Sequence, residues 1–283
     1  MNKQTAALLS VFSNTILIIF KLIAGLAMNS ISVISEAIHS SIDLLASIIA
    51  FIFIRIAAKP IDNEHPFGHG KYENISGFIE AILILIAGII IIYESIMKLI
   101  FSSKVDNLDL GLVVMIISAA INLVISLNLL RISKKTKSIA LEADGMHLLT
   151  DTVTSFGVFL GLVLVKLTGM VIFDRITAII MALLIIKTSI GLINKSIKDL
   201  VDSSLSSADI EKIINTICNH NEIKAYHKLR TRNCGETKEI DIHLQLEPNT
   251  TLLEAHVICD NIENEIKSIF PKSHILIHAE PLN

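Results

Sequence analysis

Six long apolar runs fill most of the first 200 residues and restrict this chain to a membrane architecture. A helix needs about 20 mostly apolar residues to cross a bilayer, and each run reaches that length. The runs cover residues 6–27, 31–57, 74–100, 108–131, 139–166 and 170–198. The chain is 52% hydrophobic overall, yet residues after about 203 have the composition of a water-soluble protein. We therefore predict an all-α six-helix transmembrane bundle over 1–203 and a soluble domain over 204–283.

The soluble tail has the pattern of an α+β domain with the order α-β-β-α-β. Two stretches of helical periodicity, starting near Ser207 and near Leu252, alternate with three strand-like stretches. Ser207 is a candidate N-cap of the first helix. A glycine-containing turn between the first two strands predicts a hairpin. This order leaves one face of the sheet available for a partner.

Positive charge is unevenly distributed between the two sets of loops that join the six runs. One set holds most of the Lys and Arg residues, including Arg55, Lys59, Lys71, Arg131 and Lys198. Positively charged loops stay in the cytoplasm, so both termini and the tail are expected there, with the chain in a bacterial-type inner (plasma) membrane as a multi-pass protein. In that compartment Cys218, Cys234 and Cys259 are expected to be free thiols. No cleavable signal peptide is evident. A net charge of −3 gives no support for nucleic-acid binding.

Two of the apolar runs carry a histidine and an aspartate four residues apart. His39 and Asp43 lie in the second run, and His147 and Asp151 lie in the fifth. Residues four apart share one face of a helix. A single pair of this kind is readily explained as a buried hydrogen bond between helices, but two copies at the same spacing favour one shared site. Two imidazoles and two carboxylates suit a tetrahedral divalent ion, with Zn²⁺ the leading candidate.

A second group of candidate ligands follows the second run. Asp62, His65 and His69 stand within eight residues of one another, among bends at Pro66, Gly68 and Gly70. They could bind a metal ion, or they could belong to an ordinary polar turn.

The tail holds a third group, composed of His227, His243, His256, His278 and Glu280. These residues come from both strands of the hairpin, the second helix and the last strand, and they could gather at one sheet edge. The alternative is that they are dispersed over the surface, as His220 and His274 are expected to be.

These motifs together resemble the cation diffusion facilitator family over nearly the whole chain. The resemblance rests on the two H-x-x-x-D pairs, on "HPFGHGKYE" after the second run, and on "HKLRTR", "IDIHL", "EAHV" and "IHAEP" in the tail. It implies a homodimer with a metallochaperone-like cytoplasmic tail. It also implies export of divalent metal, commonly zinc, in exchange for protons.

The resemblance assigns roles to the three groups of residues. It implies a transport site at His39, Asp43, His147 and Asp151, and a loop site at Asp62, His65 and His69. It places a two-metal cluster at the dimer interface of the tail, where Zn²⁺ would be structural or regulatory. Lys71 and Asp202 match a salt bridge between the membrane and tail domains of relatives. Some members have Asp in place of His39 or of Glu280, and those with Asp at the first position accept a broader range of metals.

We therefore expect a Zn²⁺ exporter with protons as counter-substrate and membrane lipid around it. Export of Fe²⁺, Cd²⁺, Co²⁺ or Mn²⁺ is the alternative on the same fold, although two imidazoles disfavour Mn²⁺. A membrane metallohydrolase is disfavoured because the sequence lacks H-E-x-x-H and four protein ligands leave no position for water, so the chain is not expected to be an enzyme. A non-transporting metal sensor would not need ligands inside two membrane helices.

Overall fold

The computed structural model describes residues 2–27, 31–100, 109–168 and 172–282. They fall into two units, one formed by residues 1–59 and 72–197, the other by residues 60–71 and 198–283. The first unit is helical and the second is an α+β domain. The fold class expected from the sequence is therefore confirmed.

The first unit contains six long helices in the order in which the apolar runs occur. They are α1 (Lys3–Ala27), α2 (Ile31–Ala57), α3 (Tyr72–Ile100), α4 (Asp109–Thr136), α5 (Ile139–Thr168) and α6 (Ile172–Leu200). Among the described residues, four stretches are long and apolar enough to cross a membrane: Lys3–Ala27, Tyr72–Met97, Ile116–Thr136 and Arg175–Leu200. The helices α2 and α5 are the two that carry the H-x-x-x-D pairs.

Small and branched side chains hold the helices of this unit together. Helix α1 packs against α2, α4 packs against α5, and α3 also contacts α5. Fully buried alanines such as Ala7 and Ala140 let the backbones approach closely at these contacts. Leu129 and Leu148 fill the core between α4 and α5. The packing brings the polar stripes of α2 and α5 into the interior.

The second unit follows the α-β-β-α-β order predicted for the tail. Its elements are α7 (Ser207–Cys218), β1 (Ala225–Cys234), β2 (Thr237–Leu246), α8 (Leu252–Ile269) and β3 (Ser273–Pro281). Strands β1 and β2 form the expected antiparallel hairpin, and β3 adds to β2 in parallel. The N-cap of α7 is Ser206, one residue before the predicted Ser207, because its side chain accepts the N–H of Asp209.

The core of this unit lies between the sheet and its two helices. Alternate residues of β2, namely Ile240, Ile242 and Leu244, are buried against Ile213 and Ile262 of α7 and α8. Burying such a side chain contributes about 1.5–3 kcal/mol. Because side chains alternate along a strand, His243 lies on the opposite face of β2. The hydrophobic pattern of β2 therefore fixes which face carries the tail histidines.

Candidate metal sites

The first candidate site lies between α2 and α5 in the helical unit. His147 Nε2 lies 3.1 Å from Asp43 Oδ1, and both side chains are more than nine-tenths buried. Asp151 completes a group in which one ligand atom of each residue lies within 4.8 Å of the others. The two motifs therefore meet as their spacing predicted. An imidazole and two carboxylates at this separation have the chemistry to enclose one divalent ion.

The fourth expected member of this site is His39. Its backbone belongs to α2, one turn before Asp43. Its side chain lies outside the described part of the structure, so its place as a ligand stays a prediction.

A layer of polar side chains surrounds the buried group. Ser47, one turn after Asp43 on α2, accepts a hydrogen bond from Asn14 Nδ2 at 2.7 Å and donates one to Asp144 Oδ1 at 2.9 Å. On the other side of Asp43, Lys21 Nζ donates to Ser40 Oγ at 2.7 Å. Such bonds satisfy polar groups that would otherwise be costly in the hydrocarbon region.

Sequence reasoning missed Glu80, a buried acid of this unit. Glu80, in the first third of α3, is fully buried, and its carboxyl group interacts electrostatically with Asp144 and His147. The sequence did carry a signal for it, because Glu80 is the one charged residue in the apolar stretch "ISGFIEAILILIAG". An intramembrane acid is a functional candidate by default.

The second candidate site is the loop group Asp62, His65 and His69. His65 Nδ1 lies 3.3 Å from Asp62 Oδ1, and His69 Nε2 lies 3.4 Å from Asp62 Oδ2. The backbone N–H of His65 donates to Asp62 Oδ1 at 2.7 Å and holds the pKa of Asp62 below its ordinary value. Asp62 is therefore ionised and ready to act as a ligand at neutral pH. The three residues offer ligand atoms within 4.8 Å of one another, as expected of a metal site.

Side chains of Lys71, Arg232 and Cys234 attach the loop 60–71 to the rest of the α+β domain. Lys71 Nζ lies 2.7 Å from Asp202 Oδ1, and Arg232 Nη1 lies 3.3 Å from Asp202 Oδ2. Arg232 also lies over the ring of Phe67, with 5.0 Å between its Cζ and the ring centre. The Cys234 thiol donates to the Phe67 carbonyl at 3.3 Å, and burial raises the pKa of this thiol, which keeps the donor hydrogen in place. The expected Lys71–Asp202 pair is present, with both residues in this second unit.

Two glycines allow the backbone of this loop to touch the β1–β2 turn. A Cβ on Gly70 would stand 2.4 Å from the carbonyl oxygen of Cys234, and one on Gly235 would stand 2.7 Å from the Cα of Gly70. Gly235 also has φ +62°, the left-handed region that side chains disfavour. The close approach therefore requires glycine on both sides.

The third candidate site is a row of histidines across the sheet. The register pairs His227 with His243 and His243 with His278, so one residue from each strand stands side by side. A β-bulge follows His227, with Lys228 at φ +51°. The bulge changes the register beyond this point without disturbing the row.

Glu280 lies at the centre of the histidine row. Its oxygens are 3.2 Å from His227 Nε2 and 3.4 Å from His243 Nδ1. Gln245 Nε2 donates to it at 3.0 Å and holds the pKa of Glu280 below its ordinary value. His227, His243 and Glu280 form a group of ligand atoms within 4.8 Å of one another. His278 stands at the edge, with its Nε2 3.9 Å from Glu280.

His256 lies apart from this cluster within one chain, so its place as a ligand stays a prediction. It lies on an exposed face of α8, where its Nε2 is 3.5 Å from Asp260 one turn later. The helix packs its apolar face against the sheet and so directs His256 away from the histidine row. His220 and His274 contact Glu265 and Glu239 respectively, as residues outside the cluster.

An apolar helix bundle with a group of potential metal ligands, joined to a small α+β domain, is the architecture expected of a membrane transporter for cations. The family model of the cation efflux transmembrane domain matches residues 7–201. The model of the cytoplasmic domain of cation efflux proteins matches residues 205–282. The chain therefore belongs to the cation efflux family, the cation diffusion facilitators, and is an integral membrane cation transporter.

Two individual relatives match the chain over nearly its full length, and a solved structure matches its C-terminal part. The chain is 31% identical over 278 residues to Protein p34 of Rickettsia prowazekii, covering 98% of this chain and 92% of that one. It is 27% identical over 276 residues to the cation-efflux pump FieF of Salmonella agona, covering 98% and 92%. A solved C-terminal domain of the magnetosome protein MamB from Desulfamplus magnetovallimortis is 23% identical and covers 27% of this chain and 96% of its own, with a TM-score of 0.26.

Proposed function

We propose that this transporter exports divalent metal ions, chiefly Zn²⁺, from the cytoplasm in exchange for protons. The observation that carries the proposal is the convergence of Asp43, His147 and Asp151, which offer ligand atoms within 4.8 Å of one another from two helices, with Asp43 and His147 buried and Asp151 half-buried. Ionisable groups are costly inside a membrane unless they are paired or hold an ion. A conduit for metal ions accounts for their presence at this depth.

The ligand types favour Zn²⁺ over harder ions. Zn²⁺ accepts imidazole and carboxylate ligands in a four-coordinate arrangement, whereas Mn²⁺ and Mg²⁺ prefer oxygen. His39 would supply the second imidazole of such a set. Fe²⁺, Cd²⁺ and Co²⁺ accept the same ligand types and are the alternative cargoes.

Proton exchange follows from the chemistry of the histidine ligand. An imidazole binds metal only in its neutral form, and its reference pKa is about 6.5. A proton arriving from an acidic exterior therefore competes with the ion at His147. Metal arriving from the cytoplasm displaces that proton, so a change in the accessible side couples the two flows in opposite directions.

The loop and tail groups would act outside the conduit. Their donor sets, Asp62 with two histidines and Glu280 with its neighbouring histidines, fit Zn²⁺ as a structural or regulatory ion. We infer that residues 204–283 lie in the cytoplasm and pair with a second copy through the sheet face that carries the histidine row. Residues 1–203 would carry the transport path through the lipid.

The test is Zn²⁺ flux into proteoliposomes that hold a pH gradient, with the lumen acidified. The wild type should take up Zn²⁺ and release protons, whereas Asp43→Ala and Asp151→Ala should abolish both flows while inserting normally. Glu94→Gln is a matched control, because Glu94 is an exposed acid of α3. Near-normal flux in both aspartate variants would refute the transport site, and Zn²⁺ uptake that ignores the pH gradient would refute proton exchange.

A further inference from the structure

Two buried carboxylates outside the Asp43–His147–Asp151 group have no role in the exchange described so far. Glu80 on α3 and Asp144 on α5 are both 0% exposed. The two helices contact each other directly. A pair of acids from facing helices in this environment requires compensation, because burial of an isolated charge costs several kcal/mol or more.

Each carboxylate is only half satisfied by hydrogen bonds. Ser76 Oγ donates to Glu80 Oε1 at 3.1 Å, and Ser47 Oγ donates to Asp144 Oδ1 at 2.9 Å. The second oxygen of each acid, Glu80 Oε2 and Asp144 Oδ2, has no hydrogen-bond partner among the described residues. An unsatisfied buried acceptor costs about 1–3 kcal/mol, and each of these two acids has one such oxygen.

The pair adjoins the transport site along α5. Asp144 precedes His147 by three residues, so the two side chains share one face of the helix. Glu80 interacts electrostatically with both. Since α5 begins at Ile139, Asp144 lies nearer the start of the helix than the transport ligands do. An ion that enters from this end therefore passes Asp144 before it reaches Asp151.

We propose that Glu80 and Asp144 form a second cation subsite, which loads the divalent ion before it reaches Asp43, His147 and Asp151. The inference rests on the proposed function of that neighbouring site. Once ionised, the two carboxyl groups match the charge of a divalent cation, and their open oxygens provide ligand atoms without displacing the serine hydrogen bonds. An all-oxygen set binds Zn²⁺ less strongly than a set with imidazole, so the ion is drawn onward to His147.

The test measures the Zn²⁺ dependence of flux in proteoliposomes containing the full chain. Glu80→Gln and Asp144→Asn keep size and shape but remove the charge. Each should raise the half-saturating Zn²⁺ concentration about tenfold and keep the maximal flux within about twofold, the signature of lost binding rather than lost turnover. Glu80→Asp, which restores a carboxylate, should recover part of the loss, and Glu94→Gln should match the wild type.

Three results would overturn the subsite. The first is an unchanged half-saturating concentration in both amide variants. The second is a shifted pH profile with unchanged Zn²⁺ dependence, which would assign the pair to protons. The third is loss of maximal flux with no recovery in Glu80→Asp, which would assign it to packing. If one amide variant fails to insert, the other decides. Normal flux in Asp43→Ala would refute the transport site itself. If Asp43→Ala loses flux while Glu80→Gln and Asp144→Asn keep the half-saturating Zn²⁺ concentration of the wild type, only this subsite is refuted.

Discussion

Replacing Gly70 by alanine should separate the loop 60–71 from the sheet of the α+β domain. The new Cβ would stand 2.4 Å from the carbonyl oxygen of Cys234, 2.8 Å from its carbonyl carbon and 3.0 Å from the Cα of Gly235. All three atoms belong to the backbone, so no side-chain rotation can relieve the contact. Either the β1–β2 turn or the loop must move.

The expected size of the effect follows from the cost of overpacking. Adding a methyl group to a closely packed contact typically costs about 1–3 kcal/mol. Because 1.4 kcal/mol is a factor of ten, the docked population of the loop should fall about five- to 140-fold relative to the undocked one. Gly70 follows His69 directly, so Zn²⁺ affinity at the Asp62–His65–His69 group should fall with it.

Hydrogen exchange of the backbone amides of residues 60–71 in the purified full chain measures this loss directly. Exchange should accelerate in Gly70→Ala, and the α+β domain should unfold at a lower temperature. Gly191→Ala is the control, because a Cβ at Gly191 in α6 meets nothing within 4 Å and alanine favours a helix by about 1 kcal/mol. Equal exchange and equal melting in the wild type and both variants would show that the close contact does not hold the loop.

Three further predictions concern the metal groups and their supports. His39→Asp should relax metal selectivity towards Cd²⁺ in flux competition assays, and an unchanged metal ranking would place selectivity elsewhere. His243→Ala should lower the Zn²⁺ bound per chain by at least one ion, measured by elemental analysis, whereas the exposed His256→Ala should leave the cluster within the chain intact. Lys71 holds the pKa of Asp202 below its ordinary value of 3.8, so the stabilisation is present above that value and lost as pH falls through the lowered pKa. Asp202→Asn should therefore lower the melting temperature at pH 7, and the difference should shrink as the pH falls through the lowered pKa of Asp202. Equal melting of the two proteins at pH 7 would contradict the pairing.

The parts of this protein that could be predicted from sequence are those with a periodic signal. The length of the apolar runs fixed the helices, and the four-residue spacing of His147 and Asp151 placed both on one helix face. Alternation along β2 identified its buried face. Predicting that α2 contacts α5 required one further inference. Polar groups are costly inside a membrane, and two identical polar motifs lower that free-energy cost when they contact each other.

The parts that escaped prediction depend on contacts between distant residues. Glu80 belongs to no repeated motif, and its relation to Asp144 depends on the packing of α3 against α5. The α7 cap moved from Ser207 to Ser206 because two adjacent serines fit the same signal equally well. His256 matched the cluster by residue type alone, and the side of α8 on which it lies depends on how the helix packs.

The α+β domain is built from two separate segments of the chain, residues 60–71 and 198–283, and this has a consequence for biosynthesis. Residues 60–71 leave the ribosome long before Arg232 and Cys234, which hold Phe67 in the finished protein. Until the last part of the chain is translated, the loop between the second and third helices has no surface on which to dock. Asp62, His65 and His69 can therefore be locked in their final arrangement only after synthesis is almost finished. A ribosome that stalls within the tail would leave a membrane-inserted bundle whose loop lacks this fixed arrangement.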